Sequence, residues 1–317
     1  MKTKNAFKLL LGNSGAIVSD LIYRLVISIL TLGITASFVV PVLKEIFSAV
    51  EFGEFISAIK GVIGAFFSNG NELSGASEKV AETYSALLTL LSDKIGEVTG
   101  VGIGVIVAFV LYAILSEMGI YAAGSVTKTY MTSLAKEKYL GAILHNFGKC
   151  VLYAIITLLF NAIWAGVLIF GCWAFFSFTS GYIYIYSLTF AILLFILGMA
   201  IFFTFFSNFL PSILRKKRGV FSALKESFVL GAKHFGTLYM QYVSVTIIML
   251  YLNVSVAVFT LGAGVFLSIP VSCVFISCLK LVNYYNIKKK KYYIDYDNIV
   301  VPLELRSEDE KLLNIDN

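Results

Sequence analysis

Residues 238–291 read LYMQYVSVTIIMLYLNVSVAVFTLGAGVFLSIPVSCVFISCLKLVNYYNIKKKK, and this stretch decides the fold. Residues 238–285 hold a single charged side chain, Lys280. A helix rises ~1.5 Å per residue and a bilayer core is ~30 Å thick, so one crossing takes about 20 residues. These 48 residues suit two crossings, turned near Gly262 and Gly264, better than one long re-entrant segment. Four lysines, Lys288, Lys289, Lys290 and Lys291, follow at once. Lys and Arg collect on the cytoplasmic side of membrane proteins, so the last crossing is expected to end there.

Upstream, the apolar stretches 17–43, 101–124, 150–176 and 182–210 are each long enough to cross; with 238–261 and 263–285 they make six. Only residues 177–181 part the third from the fourth, so both late pairs are expected to be tight helical hairpins. Basic residues number three in 1–16, four in 125–149, six in 211–237 and six in 286–317, and the two tight turns carry none. Residues 44–100 carry four Lys against eight acidic residues. Six spans put all four basic stretches on one side; five or seven would put the lysine block outside. The expectation is a multi-pass protein of the cell membrane with N- and C-termini in the cytoplasm.

Composition points the same way. The chain of 317 residues is 58 % apolar and 14 % charged, with mean hydropathy +0.86. Soluble domains are about 25 % charged, and no single core would hide this much apolar surface. The net charge of +6 lies in short stretches beside apolar runs, a pattern of topology and anionic lipid rather than nucleic acid. Lys2, Lys4 and Lys8 precede an apolar run, as in a signal peptide, but 17–40 is longer than a 7–15-residue h-region and is expected to be the first span.

The stretch 44–100 is expected to be an acidic extracytoplasmic helical hairpin. Val80, Tyr84, Leu87, Leu91, Ile95 and Val98 recur at steps of three and four, giving one helical stripe. Ile46, Phe47, Val50, Phe55, Ile59, Ile63, Phe66 and Phe67 make a second, and residues 68–77, rich in Asn, Gly and Ser, part the two. Such a hairpin is either a cap lying on the bundle or a docking surface for a protein partner. The tail 286–317 turns from basic to acidic, and Ser307 with Glu310 forms a capping box for one short final helix.

Three segments share a design: 6–15 (AFKLLLGNSG), 139–149 (YLGAILHNFGK) and 221–236 (FSALKESFVLGAKHFG). Each is a short basic amphipathic run closing on a Gly before a membrane hairpin. In the third, Phe221, Leu224, Phe228, Ala232 and Phe235 share a face that excludes Lys225 and Lys233. Such helices lie in the headgroup plane. The fold class expected is therefore all-α: a polytopic bundle of about six transmembrane helices in three hairpin units, each preceded by a cytoplasmic interfacial helix. The domains are an interfacial segment 1–16, a membrane domain 17–285 with the 44–100 hairpin inserted, and the tail 286–317.

The third segment carries a resemblance. Pro211 at the end of span four, Gly219, the run Ala223, Leu224, Lys225, Glu226, Ser227, and the closing Phe235 and Gly236 resemble the membrane domain of the glycerophosphodiester phosphodiesterase membrane-domain family. Its wider relatives are six-span bacterial membrane proteins. The likeness is clear over about 35 residues, and its motifs are mostly structural. That family's membrane part is sometimes fused to a soluble phosphodiesterase; no such catalytic domain is present in this sequence. The resemblance implies fold and membrane location, and no hydrolytic activity is carried over.

Catalytic signatures are missing. There is no GxxxxGK[ST], HExxH or GxSxG motif, and no close carboxylate pair within a span. His145 and His234 hold matching places in two of the repeats and lack the further ligands a metal would need. Cys150, Cys172, Cys273 and Cys278 lie in or beside apolar runs with no CxxC spacing, as small hydrophobes in helix packing do. Gly100 and Gly104 form a GxxxG at the opening of span two, a signal of close helix packing. No enzyme activity, cofactor or metal is expected.

Intramembrane charge is the sharper signal, because a buried charge costs at least ~2.5–3.5 kcal/mol. Asp20 and Arg24 are an i, i+4 pair on span one; Glu117 lies inside span two and Lys280 near the end of span six. Asn208 on span four and Asn283 on span six sit at matching depth. Together the six are either one structural ion pair plus snorkelling side chains or a polar pocket open to the cytoplasm. Headgroup contacts are expected from Arg215, Lys216, Lys217, Arg218, Lys225, Lys233, Lys288, Lys289, Lys290 and Lys291. The function expected is that of a non-enzymatic accessory or envelope-associated component working through lipid and protein contacts; the alternative is a transporter of a small or lipidic solute with its pocket around Glu117.

Overall fold

The structure, a computed structural model, describes residues 2–67, 73–179, 184–215, 219–295, 298–302 and 305. Among them six helical stretches are long and apolar enough to cross a membrane: Ser14–Ser48, Thr99–Ser133, Phe147–Phe178, Leu188–Ile213, Phe235–Phe259 and Val265–Ile287. The chain is an all-α polytopic bundle, a multi-pass membrane protein. It divides into two compact units, Met1–Leu25 with Ile114–Asn317, and Val26–Ala113.

The larger unit shows the threefold plan. Helix α1 (Lys2–Gly12) precedes α2 (Ser14–Ser48), α6 (Tyr139–His145) precedes α7 (Phe147–Thr179) and α8 (Tyr184–Phe206), and α10 (Val220–Lys233) precedes α11 (Phe235–Phe259) and α12 (Val265–Ile287). The α11–α12 turn takes the left-handed conformation at Leu261 and Gly262, with φ of 50° and 90°. The Gly262 amide there donates to the Ala257 carbonyl at 2.7 Å, so the glycine closes the turn where a side chain would be strained.

Span four is not continuous, a departure from the expected single stretch 182–210. Helix α8 stops at Phe206, and α9 (Phe209–Ile213) resumes after Ser207 and Asn208. Pro211 accounts for the break: it has no amide hydrogen, and its ring would strike the carbonyl four residues back, at Ser207. All of α9 is buried. Its Phe209 stacks on Tyr153 at 5.2 Å, and Tyr153 meets Tyr121 at 5.8 Å. Leu210 fills a notch at Gly124, where an added Cβ would sit 2.7 Å from the Leu210 side chain. Lipid tails are as apolar as leucine, so such close van der Waals packing at small residues, rather than water exclusion, holds membrane helices together.

Helix α10 packs through small residues. Ala223, Ser227, Leu230 and Gly231 are buried, with Val220. At Gly231 an added Cβ would lie 2.9 Å from the Thr204 carbonyl oxygen, and the Ser227 hydroxyl donates to the Phe205 carbonyl at 2.5 Å. The expected apolar stripe lies beside this seam. Phe221 remains 76 % exposed, whereas Phe228 packs on the rings of Phe206 and Phe205 at 5.3 and 5.7 Å. A single lipid-facing stripe is thus corrected to one shared between lipid and bundle.

The tail forms a short antiparallel ladder, β1 (Tyr292–Tyr293) against β2 (Ile299–Val300), pairing Tyr292 with Val300. Asp295 holds its turn by accepting from the Asn298 amide at 2.8 Å. Buried Tyr292 accepts from Asn5 of α1 at 3.2 Å and Asn286 of α12 at 3.3 Å, so the tail ties α1 to α12. Ser307 and Glu310, expected to cap a final helix, lie outside the described residues.

The smaller unit holds the far part of α2, α3 (Val50–Phe67), α4 (Leu73–Asp93) and the near part of α5 (Ile95–Ser133). Helix α2 runs past the expected end of span one, through Pro41, to Ser48. The α3–α4 hairpin is present: Tyr84 of the expected stripe meets the Phe55 ring at 6.0 Å, Val80 faces Ile59 and Ile63, and Thr83 joins them as the most buried of the described residues of α4. Thr83 is buried while Tyr84 is 50 % exposed. The Thr83 hydroxyl donates to the Lys79 carbonyl at 2.8 Å, which removes the cost of burying it. Ala58 and Ala65 are the buried positions of α3. The side chains of Leu91, Ile95 and Val98 lie outside the described residues, as do those of Phe66 and Phe67. Lys94 pairs with Glu45 at 2.7 Å, and an added Cβ at Gly104 would lie 2.6 Å from the Phe38 ring. The close packing expected at the GxxxG is made at Gly104; among the described residues, Gly100 meets nothing within 4 Å.

Candidate functional site: the intramembrane polar clusters

The six polar residues singled out within spans all belong to the larger unit, in three groupings. In the first, Asp20 and Arg24, one turn apart on α2, form an ion pair with Nε to Oδ2 at 2.7 Å. Both are buried. The Tyr139 hydroxyl of α6 lies 2.6 Å from Asp20 Oδ1 and 2.7 Å from the Gly119 carbonyl, so its one proton has two acceptors in reach. Arg24 Nη1 donates to Ser116 Oγ at 2.9 Å, and the Tyr23 hydroxyl donates to the Leu115 carbonyl at 2.9 Å. Gly119 permits this approach: an added Cβ would sit 2.9 Å from the Tyr23 ring. The grouping staples α2, α5 and α6. Among the described residues, Arg24 Nη2 is buried without a hydrogen-bond partner.

The second grouping is Glu117 and Lys280. Lys280 and then Arg24 are the cations that act on Glu117. Among the described residues neither makes an ion pair with it within 4.0 Å. Glu117 Oε1 accepts from Asn161 of α7 at 3.5 Å, the outer limit of a hydrogen bond. Lys280, 7 % exposed, holds its ammonium 5.9 Å from the Phe203 ring centroid. It is therefore embedded in the bundle rather than snorkelling to the surface.

The third gathers at the break in span four. Asn208 donates to Ser207 Oγ at 3.3 Å. Among the described residues, Asn208 Oδ1, both amide atoms of Asn283 and the Tyr242 hydroxyl are buried with no partner in hydrogen-bond geometry. Tyr242 faces Asn283 and Ser207. Buried polar atoms left this way each cost about 1–3 kcal/mol unless water or a ligand meets them. Asn208 thus meets Ser207, and Tyr242, a member the sequence reading missed, lies beside both Ser207 and Asn283. Tyr139 was missed too, although a buried tyrosine hydroxyl needs a polar partner and Asp20 is the buried carboxylate it meets.

The basic residues behave unequally. Lys225, Lys233, Lys290 and Lys291 are exposed. Lys288 pairs with Glu226 Oε1 at 2.6 Å, and Ser212 donates to the other oxygen of Glu226. Arg215 donates to the Tyr284 hydroxyl at 3.4 Å. Lys289 takes a left-handed conformation, φ 52°, in the turn after α12. Burial and the nearby charges of Arg215 and Lys288 lower the Lys290 ammonium below its usual range, and Glu226 opposes them. Lys216, Lys217 and Arg218 lie outside the described residues. Among the described residues no group of three or more His, Cys, Asp or Glu could hold a metal ion.

Cavities open in this unit between its helices. One, of about 730 Å³, lies between α1, α11 and α12; another, of about 260 Å³, is lined by Phe203, Tyr242, Asn253 and Ser272 among others. Asn253 Nδ2 donates to Ser272 Oγ at 3.0 Å between α11 and α12. Neither cavity is lined by Asp20, Arg24, Glu117 or Lys280. No protein-family model, curated protein or solved structure matches this chain. What is established from sequence and structure together is an integral, multi-pass, all-α membrane protein.

Proposed function

We propose that the protein is a non-enzymatic component of the cell membrane, with both termini in the cytoplasm, that acts through contacts with lipid and with protein partners. The observation that carries this reading is where its cavity and its charges lie. The 730 Å³ cavity lies among exposed apolar side chains of α11 and α12. The Asp20–Arg24 pair is spent on holding helices together. The α3–α4 hairpin, with Glu54, Glu78 and Glu82 exposed, offers an acidic face to a protein partner, and the exposed lysines suit anionic headgroups. The resemblance of 211–236 to the phosphodiesterase membrane-domain family agrees with a membrane role lacking hydrolysis. Purification in mild detergent with mass spectrometry of what accompanies the chain tests it. Retained lipid and a stable partner are expected; Glu117-dependent solute flux in liposomes overturns it.

A second reading, passage of a small or lipidic solute, is favoured by one observation: the broken span four with its unsatisfied Asn208, Asn283 and Tyr242. Interrupted helices with polar groups at the break are the way transporters build sites at membrane depth.

A further inference from the structure

The 730 Å³ cavity is a groove, walled by α11 on one side and α12 on the other and closed at one end by α1. Its middle is carbon: Ile248, Leu252 and Leu267 line it and are 52 %, 49 % and 56 % exposed. From Val245 to Thr260 its α11 wall rises roughly 22 Å at ~1.5 Å per residue. One leaflet's half of the ~30 Å core is about 15 Å, so the groove is longer than a leaflet is deep.

The closed end differs in chemistry. Thr3 and Lys4 of α1 line it, and Gln241 of α11 donates to the Thr3 hydroxyl at 3.3 Å, fixing α1 across the groove. Lys233 and His234, at the junction of α10 and α11, precede Gln241 by about two helical turns. Burial lowers the His234 imidazole, and the ammonium groups of Lys233 and Lys2 lower it further, in keeping with the Gln241–Thr3 hydrogen bond that brings the start of α1 to this part of α11. Lys4 and Lys233 are exposed, and neither makes an ion pair among the described residues. An apolar channel the length of an acyl chain thus ends on a cluster of cations, with Lys2, Lys4 and Lys233 free to meet a phosphate.

We propose that this groove is a binding site for an anionic phospholipid, with an acyl chain between α11 and α12 and the phosphate at Lys2, Lys4 and Lys233. The proposal rests on the lipid-contact reading above and assigns it a place and a headgroup charge. Lipid at a site of this kind fills a gap that α11 and α12 leave between them, bridged only in part by the Asn253–Ser272 hydrogen bond. It thereby links the third hairpin to α1.

The test is native mass spectrometry of the full chain, delipidated and then titrated with dioleoyl phosphatidylglycerol or dioleoyl phosphatidylcholine. The first is expected to bind more tightly at low stoichiometry. A lysine near a membrane surface contributes about fivefold in affinity for anionic lipid, so Lys2→Gln with Lys4→Gln is expected to weaken phosphatidylglycerol roughly thirtyfold and leave phosphatidylcholine unchanged. Ser268→Trp, which fills the groove, is expected to remove both lipids; melting curves without lipid identify a variant that fails to fold, and the lysine pair then decides alone. Phosphatidylglycerol binding unchanged in every folded variant overturns the proposal. So does a lipid-free dimer that Ser268→Trp dissolves, since a second copy would then own the groove. Either result leaves the lipid-and-partner reading standing, whereas Glu117-dependent flux would fail that reading and not this site.

Discussion

Asp20 is the intramembrane charge whose partners are most fully defined, and replacing it is the sharpest perturbation available. Asp20→Asn removes the negative charge that meets Arg24 at 2.7 Å and Tyr139 at 2.6 Å. Arg24 would keep Ser116 and lose its counter-ion while still buried. Breaking a buried pair from one side costs about 3–5 kcal/mol, and removing both partners together can be nearly neutral. Tyr139→Phe removes one hydrogen bond to a charged acceptor, about 1.5–3 kcal/mol. Three results follow. Asp20→Asn destabilises the protein by several kcal/mol. Adding Arg24→Met to it recovers much of the loss. Tyr139→Phe costs less in the Asp20→Asn background than alone, because the acceptor that made its bond strong has gone. The assay is reversible unfolding in mixed micelles, with coupling taken from double-mutant cycles. Additive losses for both pairs would refute the three-helix staple, whatever the sizes of the single effects.

Other consequences are smaller in scope. Glu117→Gln is expected to change stability by less than Asp20→Asn does, because no ion pair within 4.0 Å is lost; equal losses in a melting series would show that Glu117 bears a pair the geometry lacks. Gly231→Val places a side chain against backbone at Thr204 and Phe205 and is expected to cost about 1–3 kcal/mol, the range for overpacking, while Gly236→Ala, with open space around it, is mild; the same unfolding assay compares them. His234 is expected to titrate below the ordinary ~6.5, and Lys2→Gln to raise it, since Lys2 is one of its two cationic neighbours; NMR of the imidazole in a His145→Gln background reads the shift, and no movement would separate α1 from α10. The linkage sign follows: a lowered folded value means the unfolded state binds the extra proton, so stability contributed at His234 is present above the unfolded value and lost as pH falls toward the folded one.

The six crossings were legible because their signal is long: stretches of 20 or more apolar residues leave one physical solution, and helices α2, α5, α7, α8, α11 and α12 follow from them. The break in span four was not, although Pro211 was in view. Proline names a position where a helix is weakened, and whether the chain then kinks, stops or resumes depends on neighbours. Here Leu210 docks at Gly124 and Phe209 stacks on Tyr153, contacts across the fold that no local pattern announces. The small residues buried on α4 and α10 were not legible for a related reason. Hydropathy ranks Tyr84 over Thr83 and Phe221 over Ser227, yet in close helix crossings the small residue is buried and its hydroxyl is met by a carbonyl, as at Lys79 and Phe205.

The candidate site was half legible. Asp20 and Arg24 announced themselves by charge and spacing. Tyr139 and Tyr242 carried no such mark. A tyrosine in an apolar or interfacial run is common, and only the fold shows which hydroxyl faces a carboxylate and which is left among asparagines. The tail ladder was invisible for a different reason: two residues per strand are too few to show an alternation, and the pairing is held by Asp295, by Asn286 at the end of α12 and by Asn5 on distant α1.

Everything above depends on six crossings with the basic ends on one side, and site-directed labelling tests that most directly. In a cysteine-free background, single cysteines replace Lys4 in α1, Ser77 in α4 and Lys290 after α12, all exposed. A membrane-impermeant maleimide is applied to intact cells and then to opened ones. Labelling of the Ser77 site in intact cells, with the Lys4 and Lys290 sites reacting only once the membrane is opened, is the predicted result. Reaction of the Ser77 and Lys290 sites from the same side would contradict the six-span account.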